Sequence, residues 1–235
     1  MKIYIGYDSS NYGQEMAYEV CKRSIYNYNS KAEVFPIKLK ELREANIFNR
    51  AVDQKQSTEF TYTRFLTPYL CRYAEKGLFC DSDFLWRCDV EETLKFIRDD
   101  QSVSCVQHEY AECKSKTKMD GLKQEWYPRK NWSSLMLFNS THEDCKNLTT
   151  KAVSEETPKF LHRMEWTSDE NIGSIPIEYN YLVGYYEKSE PKALHFTDGG
   201  PWHQDYVNVE YGQEWLSYLT KKETEDFKNG AFWNS

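Results

Sequence analysis

Two acids flank one small residue in Asp81-Ser82-Asp83, directly after the apolar run Gly77-Leu78-Phe79-Cys80. Carboxylates at that spacing, at a strand end, can both face one divalent cation, and hard oxygen ligands suit manganese or magnesium. Such a cation bridges a diphosphate and offsets the charge of a leaving phosphate as a Lewis acid. The plainer alternative is a polar turn in which Asp81 caps the next segment, since D-x-D triplets arise often by chance. A second candidate is His195, which closes a short apolar run and precedes Thr197-Asp198-Gly199-Gly200-Pro201-Trp202. A neutral imidazole is a good third ligand for manganese, and glycines let a backbone approach phosphate oxygens with its N–H groups turned inward. Its alternative is a histidine hydrogen-bonded in the wall of the core beside a tight turn.

These residues need elements to hold them. Lys2-Ile3-Tyr4-Ile5-Gly6 reads as a buried first strand, Gln14 to Tyr26 carries apolar residues at a helical period, and Glu33 to Ile37 reads as a second strand. Such a β-α-β opening implies parallel pairing, with ligands beyond the carboxyl ends of the strands. Tyr62 to Tyr73 has a helical pattern interrupted by Pro68, which kinks a helix or starts its second half. Strands are expected over 77–80, 103–106, 133–139 and 193–196, a short helix near 91–97, an amphipathic stretch over 159–164, and a final helix near 214–222. No internal repeat or linker divides the chain. We therefore expect one α/β domain over 1–222 and a loose C-terminal tail over 223–235.

The 235 residues carry a formal net charge of −7 and an aromatic fraction of 16%. An acidic balance argues against nucleic-acid or anionic-membrane partners, which need clustered Lys and Arg. No stretch approaches a membrane span, and Met1 to Gly6 runs into a strand rather than a signal peptide. Seven cysteines with no C-x-x-C pair read as free buried thiols of a reducing compartment, so the expected location is cytoplasmic. Sequons at Asn131, Asn139 and Asn147 are then chance. The aromatic side chains suit a sugar-stacking surface around Trp132 and Trp202, and Trp126 and Trp166 add to that material.

Four stretches together carry a resemblance: 57–66 (STEFTYTRFL), 78–86 (LFCDSDFLW), 127–134 (YPRKNWSS) and 192–202 (KALHFTDGGPW). With them the chain resembles GT-A-fold glycosyltransferases related to family eight, nearly throughout from Ile3 to Trp202. It is most similar to a group of small transferases from bacteria, algae and the large DNA viruses of algae (chlorella-virus type), for which the location would be host cytoplasm. The resemblance implies a single GT-A domain, a Rossmann-like mixed β-sheet flanked by helices with D-x-D after a central strand. It implies a metal-dependent transfer of a sugar from a nucleotide donor, a UDP-sugar such as UDP-glucose, to a hydroxyl acceptor on a glycan, with retention of configuration. Acceptor identity and oligomeric state stay open.

Residue by residue, the resemblance implies that Asp81, Asp83 and His195 hold Mn2+ or Mg2+, with Ser82 between the acids on the donor side. Tyr7 and Asp8 match the place of the uracil base. Arg64 matches a helix arginine that steadies the acids or reaches the donor; otherwise it is a surface ion pair worth little. Asn131, Trp132 and Ser133 face the donor sugar, where the family has Asn-Ala-Gly. Asp169 and Glu170 match an Asp-Gln pair beside the reacting sugar carbon. Glutamate there adds a carboxylate that can stabilise an oxocarbenium-like state or form a covalent adduct, unless Ser168-Asp169-Glu170 is only a helix cap. The family's lysine before Pro-Trp is replaced by Gly200, so phosphate charge must be met by the metal, by the amides of Gly199 and Gly200, or by a cation such as Lys118. Lys118, Asp120 and Gly121 could form a lid or a solvated loop. Two other readings are an aspartate-dependent phosphohydrolase, although its motif follows the first strand and precedes threonine rather than Phe84, and a non-catalytic nucleotide-sugar-binding protein.

Overall fold

The computed structural model describes residues 1–51, 56–109, 129–186 and 190–233. Lys118 and its neighbours in the basic loop, Trp126 and Cys113 lie outside them. Nine strands among the described residues form two sheets. β1 (Lys2–Tyr7), β2 (Glu33–Lys38), β3 (Lys76–Cys80), β5 (Val103–Cys105), β6 (Leu135–Asn139) and β7 (Ile172–Ser174) make a six-stranded sheet in the order β2-β1-β3-β6-β5-β7. β4 (Phe84–Trp86), β8 (Tyr181–Leu182) and β9 (Ala193–His195) make a smaller sheet in the order β4-β9-β8.

The large sheet is mixed. β1 pairs parallel with β2 and β3, and β5 with β7, but β6 runs antiparallel to both of its neighbours. Side chains alternate across it with period two. Ile3, Ile5, Leu78, Cys80, Leu135 and Leu137 enter one core with Cys21 and Ile25 of α1 (Tyr12–Tyr28). Tyr4, Phe79, Val103, Cys105, Met136 and Phe138 enter the other. That second core is closed by α2 (Leu39–Glu44), the 3-10 turn Thr63–Leu66 with α3 (Thr67–Leu70), α4 (Thr150–Glu155) and α5 (Pro158–His162). Pro68 lies in the first turn of α3, so the pattern read over Tyr62 to Tyr73 is two short helical pieces. The segment near 91–97 is likewise a 3-10 turn, Val90–Phe96.

Asn11 caps α1 by accepting the Gln14 N–H at 3.0 Å, satisfying one of the donors that a helix start leaves open. The other face of α1 meets the small sheet: Ser24 Oγ accepts the Trp86 N–H at 2.9 Å. There Met16, Ala17 and Val20 join Leu85, Leu194, Phe196, Trp202 and Trp215 in a third core. The expected loose tail is instead part of this core. After α6 (Gly212–Leu216), α7 (Lys221–Lys228) is closed by a capping box between Thr220 and Glu223, and Phe232 beyond it is buried. Trp202 is 2% exposed and packs on Trp215 at 5.3 Å between ring centroids, so it is core and not a sugar-stacking face. Trp166 is buried against Phe138 in the same way. Trp132 remains half-buried.

Candidate metal and donor site

Two pairings bring the site together. β3 ends at Cys80 opposite Leu135, and the Asp81 N–H continues the ladder onto Ser134 O at 2.9 Å. The reversed strand β6 thereby begins where the acidic triplet lies, which sets Ser133 and Ser134 beside Asp81. β4 then starts at Phe84, whose partner across the small sheet is His195, and Phe196 N–H bonds Asp83 O at 3.0 Å. A histidine more than a hundred residues downstream is thus placed next to Asp83 by strand register.

The ligand atoms of Asp81, Asp83 and His195 all lie within 4.8 Å of one another. A small hard cation sits about 2.1 Å from each ligand, which separates ligands by roughly 3 to 4 Å. His195 Nε2 is 3.3 Å from Asp83 Oδ2, and its ring stacks on Phe84 with centroids 4.5 Å apart. Its Nδ1 meets Asn180 Oδ1 at 2.8 Å. Arg64, 7% exposed, holds Nη1 2.8 Å from Asp81 Oδ1 as a charge contact outside hydrogen-bond alignment, and the same Nη1 donates to Ser133 O at 2.9 Å. It is a buried partner of the acid and not a surface ion pair.

Burial pushes the Asp81 carboxyl up to about 6, against the pull of Arg64 and with a further push from Asp83. Asp83 Oδ1 is buried with no hydrogen-bond partner among the described residues. Two carboxylates close together with an orphaned oxygen, one arginine and an imidazole make a hard donor set short of positive charge. The residues therefore fit a divalent cation of the manganese or magnesium kind.

The other expected residues lie around this centre. Asp8 is buried and accepts the Ser10 N–H at 2.9 Å and the Glu59 N–H at 3.2 Å, tying the loop after β1 to the 58–60 turn. Tyr7 donates its hydroxyl to Glu15 Oε1 at 2.9 Å, and burial with that bond pushes its phenol up to about 12. Gly6 is required above the Phe60 ring, because a Cβ there would come within 2.4 Å of it. Asn131 Nδ2 reaches Thr197 Oγ1 at 3.2 Å, and Ser133 Oγ lies 3.0 Å from His162 Nδ1. Asp169 and Glu170 are exposed; Asp169 takes Arg129 Nη2 at 2.5 Å, and Arg129 lies over the Trp132 ring at 5.3 Å. Ser168 makes no side-chain cap bond. Gly199 has φ +142° and its N–H closes a turn on Phe196 O at 2.9 Å. A Cβ on Gly200 would come within 2.0 Å of the Trp202 ring, so the indole occupies the space a lysine stem would need.

Two polar residues of this region, Asn180 and His108, carried no sequence signal, and Ser134 stood only as the last residue of the 127–134 stretch. Asn180 and Ser134 are buried, with Asn180 Nδ2 donating to Ser134 Oγ at 2.9 Å. His108 lies 2.7 Å from the Tyr186 hydroxyl, and burial, with His195 nearby as the lesser cause, lowers it to about 3.

No family model matches the chain. Among solved structures it is similar to the WbbM bifunctional glycosyltransferase, with a TM-score of 0.65 and 16% identity, over 97% of this chain and 51% of that one. The chain thus spans about half of WbbM. It is similar over 97% of its length to the whole of an active-site glutamine-to-glutamate mutant of LgtC, with a TM-score of 0.61 and 12% identity. These likenesses establish the GT-A type of fold. In sequence it is 41% identical over 234 residues to Protein CDI of Arabidopsis thaliana, covering 97% of this chain and 89% of that protein. On that likeness, this chain belongs to the family of the Arabidopsis Protein CDI.

Proposed function

We propose that the chain is a metal-dependent glycosyltransferase that moves a sugar from a UDP-sugar such as UDP-glucose to a hydroxyl of a glycan, with retention of configuration. The observation that carries this reading is the convergence of Asp81, Asp83 and His195 at the carboxyl end of β3 in a sheet of the GT-A type. Mn2+ or Mg2+ held by these three side chains would offset charge on the diphosphate as it leaves. Arg64 keeps Asp81 ionised and turned to the centre. Tyr7 and Asp8 take the base beyond the end of β1, Ser82 lies at the diphosphate, and Asn131, Trp132 and Ser133 face the sugar. Gly199 and Gly200 lie on the phosphate side, and Lys118 is the cation that would close over it.

Of the two acids assigned to the sugar carbon, Asp169 is engaged by Arg129, whereas Glu170 has no ion pair among the described residues. Glu170 is therefore the carboxylate available to stabilise positive charge at that carbon or to bond to it, and Asp169 orients the segment. Six described cysteines are free and buried, which suits work in a reducing compartment such as the cytoplasm.

The test is UDP release from UDP-glucose with Mn2+, first with water as acceptor. Slow release is expected, lost on adding EDTA and reduced about 100-fold or more in Asp83→Ala, since a metal acting on the leaving group supplies several kcal/mol. Release that survives both treatments would overturn the reading. A phosphohydrolase would liberate inorganic phosphate, and a non-catalytic binder would bind the donor without turnover.

A further inference from the structure

A chain of donors and acceptors runs from the start of β6 to the ring of His195, and its direction is fixed at one end. Asn131 O is a carbonyl and can only accept. Ser134 Oγ donates to it at 2.7 Å, which commits the hydroxyl proton. Towards Asn180 the same oxygen is then left as acceptor, so the Asn180 atom facing it at 2.9 Å must be the NH2 group. The amide oxygen therefore points the other way, to His195 Nδ1 at 2.8 Å, and an oxygen there requires a proton on Nδ1. Nε2 then remains the nitrogen on the side of the acids: it faces Asp83 Oδ2 at 3.3 Å, a contact that needs either a proton or a metal cation between the two atoms.

We infer that Asn180 and Ser134 are positioning residues that hold a proton on Nδ1 of His195 and so reserve Nε2 for the metal. Asn180 is 0% and Ser134 3% exposed, so water does not compete for either group. Phe84 stacked on the imidazole fixes the ring plane, and Asn180 fixes which nitrogen carries the proton. Outer partners of a ligating histidine typically govern 10- to 100-fold in metal affinity. The inference rests on the metal reading for its use, but the tautomer is a property of the metal-free protein.

The experiment therefore has two readouts. In metal-free, 15N-histidine-labelled full chain, a long-range 1H–15N spectrum identifies the protonated nitrogen of His195, assigned by loss of its signals in His195→Gln. A proton on Nδ1 is expected in the unaltered protein, and an Nδ1 without one would overturn the inference whatever any variant does. In Asn180→Leu, of similar volume but with no acceptor, the tautomer is expected to become mixed and Mn2+ binding, followed by the EPR signal of the free ion, to weaken roughly 10- to 100-fold. Asn180→Asp restores an acceptor for Nδ1–H and is expected to stay within a few-fold of the unaltered protein. Wild-type tautomer and Mn2+ affinity in Asn180→Leu would overturn the inference. Failure of the unaltered protein to bind Mn2+ would instead sink the metal reading, leaving the tautomer measurement to decide the role of Asn180.

Discussion

Arg64 shows how one residue type can serve the site and the fold together. Its guanidinium touches Asp81, donates to Ser133 O and lies about as far from the Phe60 and Phe79 rings, at 5.4 and 5.1 Å, as cation–π attraction allows. Removing it leaves two close carboxylates with no fixed cation, and breaking a buried pair costs about 3 kcal/mol or more. Arg64→Met is expected to lower stability by that order in EDTA, as read by urea denaturation. Mn2+ should then restore more stability in Arg64→Met than it adds to the unaltered protein, because the ion supplies the missing charge. Equal Mn2+ increments in the two proteins would show that Arg64 does not act on the acids. Asp81-Ser82-Asp83 was legible in the sequence because acids directly after an apolar run stand out, whereas Arg64 was reached only through the resemblance of the 57–66 stretch. Asn180 was not legible: a small polar residue outside any periodic segment looks the same whether it faces water or a buried imidazole.

At the scale of elements, strand direction decides what the site contains. A β-α-β opening signals parallel strands, and β1 to β3 obey it, but nothing in the composition of Leu135–Asn139 states that β6 runs the other way. β4 and β9, at three residues each, are too short to show a period, so the register that pairs Phe84 with His195 could not be read in advance. The segment after Lys222 reads as loose in the sequence because its charged face hides its anchor. Glu223 closes the capping box of α7 and takes both Arg23 Nη1 and Nη2, at 2.7 and 2.8 Å, from α1. That bidentate partner lowers the carboxyl from 4.5 to about 2. A depressed acid stabilises the fold fully above its ordinary value and loses the effect as pH falls from about 4.5 towards 2. Glu223→Gln is expected to melt below the unaltered protein at pH 7, by about 1 kcal/mol for a part-buried charged bond. The gap should close as pH falls through that window; a gap constant from pH 7 to 3 would remove Glu223 from the account.

Across the whole molecule, two of the three cores meet around one helix, α1, which faces the large sheet with Cys21 and Ile25 and the small sheet with Ala17 and Val20. The small sheet carries His195, and its core is completed only by residues beyond α7. Phe232, 2% exposed, packs edge-on against Tyr12 and Trp215. Phe232→Ala is expected to cost about 3 kcal/mol of stability, measured by thermal and urea denaturation, as for other large aromatic truncations in cores. A cost below about 0.5 kcal/mol would show that the C-terminal segment is dispensable to the fold. The order of the large sheet also bears on how copies of this chain meet one another. One rim is β2, where Pro36 offers no N–H and Glu33 and Lys38 place charges at the two ends; the other is β7, three residues long. Neither rim is a good template for another strand, so the sheet ends itself instead of recruiting a neighbour's backbone in a crowded solution.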